Sequence, residues 1–247
     1  GGPDSLALLL LAQQILPGKL VAATVDHQLR SVSADEAQLV AKICHDLGVP
    51  HIILTPEAKI AGNLQSSARA ARYALLERAA DAQNCQHIGT AHHADDQLET
   101  LLMRLARGSG VDGLSGIRAR NGRVVRPLLE FTKAELIEIC SSVGIQSVND
   151  PSNANIDFDR VAMRRWLAST QHPFPANRAL RSASALADAS DALVWMTDNL
   201  AAQRIRQEND VIICNASDLP SELKRRLLIR CLRAMDANLA PRGEAID

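Results

Sequence analysis

Two stretches of the chain gather side chains able to do chemistry. The first is GGPDS, Gly1 to Ser5, followed at once by the apolar run LALLLLA. Two glycines, Gly1 and Gly2, let a backbone turn tightly and approach a ligand closely. A helix starting near Asp4 presents free N–H groups and the positive end of its dipole, and together these make an anion site. Ser5 can add a hydroxyl donor. Asp4 is awkward beside a phosphate unless a Mg²⁺ ion lies between them. The stretch has no lysine of the GxxxxGK[ST] kind, so it is not the usual nucleoside-triphosphate loop. The plain alternative is a Gly-Pro turn with Asp4 as a helix N-cap.

The second stretch is AHHADDQLETLLMRLARGSG, Ala91 to Gly110. It sets His92, His93, Asp95, Asp96 and Glu99 at a strand end and in the first turns of a helix. His92 and Asp96 are four apart and Asp96 and Glu99 three apart, so they can share a side. The helix dipole favours an acid at this end, which accounts for one carboxylate but not for the whole set. Two chemistries remain open: a divalent metal used for hydrolysis, or a substrate carrying positive charge. RGSG closes the helix as a flexible cationic loop, with Arg107 as a phosphate contact. In SARAARYALLE, Arg69 and Arg72 lie three apart beside Tyr73. They form either a solvated basic face or a clamp on nucleotide phosphates. VVRPLLEFTKAEL and VNDPSNANIDFDR are connections rich in Pro or Asn, NDPSN reading as a turn with Asp150 as a cap or hinge.

The elements that must position these residues alternate. LVAATV (Leu20–Val25), HIILT (His51–Thr55) and HIGTA (His87–Ala91) read as short buried strands. Helices follow them: SADEAQLVAKICHDLG with a Ser33–Glu36 capping box and a Gly48 stop, about 67–82, about 94–107 closed by Gly108, and TKAELIEICSSVG with a Thr132–Glu135 box and a Gly144 stop. Strands alternating with helices predict an α/β fold, a doubly wound parallel sheet with helices on both faces. Such sheets bind ligands beyond the carboxyl ends of their strands. GGPDS and the loops after Val25 and Ala91 then surround one crevice, and a strand is expected before Gly1. After Pro175 the texture turns Ala-rich and helical over 176–208. One strand (DVIIC) and an amphipathic helix (SELKRRLLIRCLRAMD) follow. The expected division is a catalytic domain over 1–175 and a smaller, mostly helical domain over 176–247, with truncation expected at its end.

The net charge is −1, but the charge is unevenly placed. Residues 104–133 carry seven basic groups against two acids, and 160–181 carry five arginines and no acid. A near-neutral chain so built can bind a polyanion on one face. The five cysteines form no CxxC pair and sit in or beside apolar stretches. Free thiols and a reducing, cytoplasmic setting follow. The longest apolar run, seven residues from Leu6 to Ala12, is far short of a bilayer span, so no membrane contact is expected.

Taken together, GGPDS, DHQLR (Asp26–Arg30), RAARY, AHHADDQLET, RGSGVDGLSGI, RPLLEFTKAEL and NDPSN resemble the tRNA(Ile)-lysidine synthases, of the N-type ATP pyrophosphatase (PP-loop) group. They stand in that family's order from Gly1 to about Arg165. The resemblance implies a Rossmann-like, adenine nucleotide α-hydrolase-like fold. It implies a ligase that uses ATP to adenylate the wobble cytidine of tRNA(Ile) with a CAU anticodon, releasing pyrophosphate. The side-chain amine of free L-lysine then attacks C2 and expels AMP. Carried over residue by residue, Gly1, Gly2, Pro3, Asp4 and Ser5 cradle the pyrophosphate, with Asp4 on Mg²⁺. Arg72, His92 and Gly108 join the ATP site, and Asp4, His92, Asp96 and Glu99 are the catalytic set. Asp96 and Glu99 recognise lysine. Arg104, Arg107, Arg126, Arg160 and Arg164 serve the tRNA backbone. A homodimer is compatible with the resemblance. One departure is Arg160-Val-Ala-Met-Arg164, where the family has Arg-Asn-x-x-Arg, so positions 161–163 receive no role. The runners-up are a 2-thiolation enzyme of the same group, which needs the paired cysteines this chain lacks, and a metal-dependent phosphoesterase built on HHADD. The remaining histidines (His27, His45, His51, His172) stand in no ligand-like spacing for the latter.

Overall fold

The computed structural model describes residues 2–26, 33–56, 64–145, 159–169, 171–209 and 211–236. Gly1, His27–Arg30 of DHQLR and the NDPSN turn lie outside the described residues. Helix α1 (Pro3–Ile15) leads into β1 (Ala22–Val25), α2 (Ser33–Asp46), β2 (His51–Leu54), α3 (Leu64–Ala82), β3 (Ile88–Gly89) and α4 (Ala94–Ala106). The short α5 (Val111–Leu114), the strands β4 (Arg120–Asn121) and β5 (Val124–Val125), α6 (Lys133–Ser142) and α7 (Asp159–Ser169) complete the first part.

Strands β1 and β2 pair in parallel, Ala22 opposite His51 and Val25 opposite Leu54. β3 pairs in parallel with β5, and β4 adds to β5 antiparallel. The chain is therefore α/β with parallel pairing where the β-α alternation predicts it, plus an antiparallel hairpin that the sequence reading missed. Among the described residues the β1–β2 pair and the β3–β5–β4 set are separate ladders rather than one continuous sheet.

Each helix boundary that matters has a local cause. Thr132 accepts a hydrogen bond from the Glu135 backbone N–H (3.4 Å), and Glu135 accepts one from the Thr132 N–H (2.7 Å). That capping box starts α6 at Lys133. Gly108 takes φ +66°, a conformation that ends α4 and that side chains with a Cβ avoid. The apolar face of α1 packs on α6: Leu6, Ala7, Leu128, Leu136 and Cys140 form one buried cluster. The Cys140 thiol donates to the Pro3 carbonyl at 3.4 Å. Burying two leucines of this kind stabilises by about 3–6 kcal/mol, and it sets the N-termini of α1 and α6 side by side.

Helix α8 (Ala176–Arg204) lies across α4 and α5. Asp112 on α5 accepts from Ser190 of α8 (2.6 Å) and from the half-buried Arg226 (2.5 Å), and Arg118 donates to Asp191 (2.9 Å). The sequence reading ran this helix to 208. Its last four residues instead form β6 (Ile205–Glu208), paired antiparallel with β7 (Val211–Cys214). The isolated VIIC strand needs a partner for its backbone groups, and Asn209 at φ +54° makes the bend. α9 (Ser221–Met235) follows, burying Leu223, Leu227 and Cys231. Leu228, expected on that face, is exposed. The cysteines in the described residues are all free, and no helix among those residues is long and apolar enough to cross a membrane.

Candidate active site

Three helix N-termini meet at one place. Gly2 caps α1, His93 caps α4 and Thr132 caps α6. The side chains that join them are charged. Lys133 Nζ donates to both carboxylate oxygens of Asp4, at 2.6 and 2.8 Å. The Lys133 backbone N–H donates to Asp95 at 2.7 Å, and the Ala94 N–H donates to the Phe131 carbonyl. Asp96 turns back to accept from the His93 N–H at 3.1 Å. A Cβ built on Gly2 meets nothing within 4 Å, so the space before the loop is open. Aligned N–H groups and a lysine facing that space make it suited to a polyphosphate. The lysine that GGPDS lacks is thus supplied from 129 residues along the chain.

His93 is the hub, and the sequence reading gave it no role of its own. It is buried, and its ring nitrogens lie 3.8 Å from Asp4, 3.4 Å from Asp95 and 3.5 Å from Asp96. Nδ1 makes no well-directed hydrogen bond at 3.4 Å, so the pairing is one of charge more than of bond geometry. Burial opposes its positive charge. The Asp95 side chain and the charges of Asp96 and Asp4 outweigh burial and push its pKa up. Asp95 is pulled below the usual carboxylate range, first by His93 and also by the Lys133 N–H. His92 behaves in the opposite way. Burial lowers its pKa to about 4, against the pull of Asp96, and the charges of Arg126, Arg69 and Arg160 add to the lowering. It is neutral at pH 7, with Nδ1 3.1 Å from the Thr90 hydroxyl.

Asp96 and Glu99 stand together as expected, and their partners are arginines expected elsewhere. Arg160 Nε donates to Glu99 (2.8 Å) and its terminal nitrogen to Asp96 (2.8 Å). Arg164 donates to both oxygens of Glu99, at 2.8 and 3.1 Å. Glu99 is 3% exposed, so a carboxylate there needs such partners to stay charged. Two of the five arginines expected on the tRNA backbone, Arg160 and Arg164, are thus engaged by the carboxylates expected to meet lysine.

The other expected residues scatter more widely. Arg104 donates to the carbonyls of Gly113 and Gly116, and buried Arg126 donates to the Arg118 carbonyl at 2.6 Å. Both side chains tie loops to α4 and β5 through these carbonyls. Arg126 also lies near enough to depress His92. Arg72 is exposed on α3, and its neighbour Arg69, over the Tyr73 ring at 5.2 Å, is the one whose charge reaches His92. Ser5 is exposed beside Asp4. Arg107 and Gly108 sit at the far end of α4, about 20 Å from its N-terminus by helical rise. Gly108 is the stop of α4, at the end of the helix opposite His93. The segment that ends at Ile117 is tied to α4: buried Gln97 accepts from the Ile117 N–H at 2.6 Å.

The donor set can be tested against Mg²⁺. No three His, Cys, Asp or Glu side chains among the described residues converge as a metal cage. Mg²⁺ is commonly held by one or two carboxylates, waters and substrate phosphates. Asp4, partly exposed at the mouth of the cradle, fits that role and no all-protein site does.

Comparison with known proteins shows the family of the chain. A family model described as a PP-loop domain matches residues 1–171. The tRNA(Ile)-lysidine synthase of Zymomonas mobilis is 42% identical over 256 residues, spanning 100% of this chain and 77% of that protein. That of Novosphingobium aromaticivorans is 41% identical over 250 residues, spanning 98% and 76%. Among solved structures, the U34-tRNA thiolase NcsA of Methanococcus maripaludis, with its [4Fe-4S] cluster, superposes with a TM-score of 0.62 at 17% identity, covering 75% of this chain and 69% of that one. This last likeness concerns the fold alone. By its matched domain and by its identity to these relatives, the chain belongs to the tRNA(Ile)-lysidine synthase family of PP-loop proteins.

Proposed function

We infer that this chain joins free L-lysine to C2 of the wobble cytidine of tRNA(Ile) with a CAU anticodon, at the expense of ATP. The observation that carries the reading is an anion cradle built beside a cation site. Asp4, Lys133 and His93 line the first, and Asp96 and Glu99, one to two turns along α4, form the second. A lysine amine has a pKa near 10.4 and arrives charged, so it needs carboxylates close to the reacting phosphate.

The residues divide the work. The N-terminus of α1 and Lys133 hold the polyphosphate, with Lys133 exchanging Asp4 for phosphate oxygens. Mg²⁺, when bound at Asp4, supplies further neutralisation of phosphate charge. Neutral His92 presents its Nε2 as a hydrogen-bond partner without adding charge. The cytosine O2 bonds to the α-phosphorus as the bond to pyrophosphate breaks. The lysine ammonium first gives a proton to a nearby carboxylate or phosphate oxygen, and its nitrogen then bonds to C2 as the C2–O2 bond breaks and O2 leaves with AMP. Asp96 and Glu99 receive the amine in place of one arginine. Both arginines are more than a third exposed and have room to turn outward. The free thiols fit a reducing, cytoplasmic setting.

The test is AMP release from ATP with the CAU-anticodon tRNA present, with and without lysine. Release that depends on lysine and on the tRNA supports the reading. AMP release without lysine, or Zn²⁺-dependent phosphate release, refutes it.

A further inference from the structure

Helix α7 turns Arg160 and Arg164 toward Glu99, and beyond them it presents rings. Trp166 and Met163, with Ala162, face Met103, Ala106 and Arg107 of α4 across a cleft of about 350 Å³. The Trp166 ring stacks on His172, with centroids 6.4 Å apart and planes 23° apart. His172 stacks on Phe174 at 6.2 Å and 16°. Trp166 and Phe174 are 45% and 41% exposed. The chain has six Phe, Trp and Tyr residues in all, so two of them in one exposed row is a concentration of ring surface, not a chance scatter.

An exposed Trp serves a protein partner or a nucleic acid, and the surroundings decide between them. Residues 160–181 hold five arginines and no acid; two of them, Arg160 and Arg164, are paired with Asp96 and Glu99 of α4, and Arg107 lines the cleft. That charge suits a polyanion. The row also continues the candidate active site. Arg107 is eight residues beyond Glu99 on one helix, about 12 Å along its axis. Unpaired bases are recognised by stacking on such rings beside cationic side chains. We propose that the Trp166–His172–Phe174 row, with the α4–α7 cleft, is a stacking platform for an unpaired anticodon-loop base next to the one that reacts. The proposal rests on the tRNA reading above.

Trp195→Phe leaves Trp166 as the one tryptophan of the chain. Titration of that variant with an anticodon stem–loop carrying CAU quenches Trp166 emission, and a stem without the loop does not. In the otherwise unaltered chain, Trp166→Leu raises the stem–loop Kd roughly 5- to 100-fold, the range of one lost base stack, and Trp166→Phe recovers most of it. Stem–loop binding with unchanged emission, and with Trp166→Leu binding like the parent, overturns the platform while leaving the tRNA reading intact. Loss of self-association in Trp166→Leu with RNA binding intact also overturns it and marks the row as a protein contact. A parent chain that binds no tRNA at all refutes the tRNA reading and the platform with it. Should Trp166→Leu fail to fold, the quenching experiment decides alone.

Discussion

Glu99→Gln keeps the shape of a side chain that accepts three hydrogen bonds from Arg160 and Arg164 and removes its charge. Breaking a buried ion pair costs about 3–5 kcal/mol. Here the carboxylate is buried, but the arginine side chains are 36% and 45% exposed and can return to water. Screening of that kind reduces the loss to about 1.5–3 kcal/mol. For a chain of this size each kcal/mol shifts Tm by about 2–4 °C, so a fall of roughly 3–10 °C is expected at pH 7 by circular dichroism. A double-mutant cycle with Arg164→Ala isolates the pair, and a coupling near 1 kcal/mol or more is expected. The functional arm reads the two half-reactions separately. The lysine KM rises about 10- to 100-fold, the worth of one charge-assisted hydrogen bond, while tRNA-dependent pyrophosphate release continues. An unchanged Tm with zero coupling would refute the reasoning about the pair. Equal loss of both half-reactions would refute the assignment of Glu99 to lysine.

Three further outcomes follow from the same geometry. Lys133→Ala removes the cation that holds Asp4; kcat/KM for ATP falls about 10- to 100-fold, with partial recovery in Lys133→Arg, and an ATP dependence like the parent's counts against a lysine in the cradle. Gly116 has φ +67°, and a Cβ there lies 2.6 Å from the Gln97 amide. Gly116→Ala therefore destabilises by about 2–4 kcal/mol, read as a drop in denaturant midpoint, and a neutral result shows that the Gln97 clamp yields freely. His92 has a folded pKa of about 4 against 6.5 unfolded, so between these values the unfolded chain binds the proton and the folded chain does not. Stability falls by about 3 kcal/mol as pH drops through that window, and His92→Asn has a visibly shallower loss in the same thermal series. His93, raised above 6.5, acts the other way: its contribution is full below 6.5 and is lost as pH climbs through its folded pKa.

Much of this site is legible one segment at a time. The Thr132–Glu135 box, the glycine stop at 108 and the Asp96–Glu99 spacing are local, and local rules read them. Lys133 on Asp4 is not local. Nothing in TKAEL announces that its lysine returns to a loop 129 residues earlier. That meeting depends on Leu6, Leu128 and Leu136 packing α1 on α6. The pairing of Arg160 and Arg164 with the carboxylates is hidden for a related reason. Composition gives them to a polyanion, but Glu99 is buried inside α4, and a buried carboxylate takes the nearest cations whatever else they might serve. The β6 strand was hidden because IRQE continues a helical run smoothly, and its strand state comes from its partner VIIC.

Helix α4 carries the cradle's His93 cap at one end, the carboxylates in its first two turns and the cleft at its other end. On the platform proposed above, it acts as a ruler between the reacting base and the rest of the anticodon loop. Its graduations are 1.5 Å and 100° per residue. One alanine inserted after Leu101 would leave the carboxylates in place but swing Met103, Ala106 and Arg107 by about a quarter turn. In that proposal distance along a single helix, more than any one contact, sets which nucleotide arrives at the chemistry.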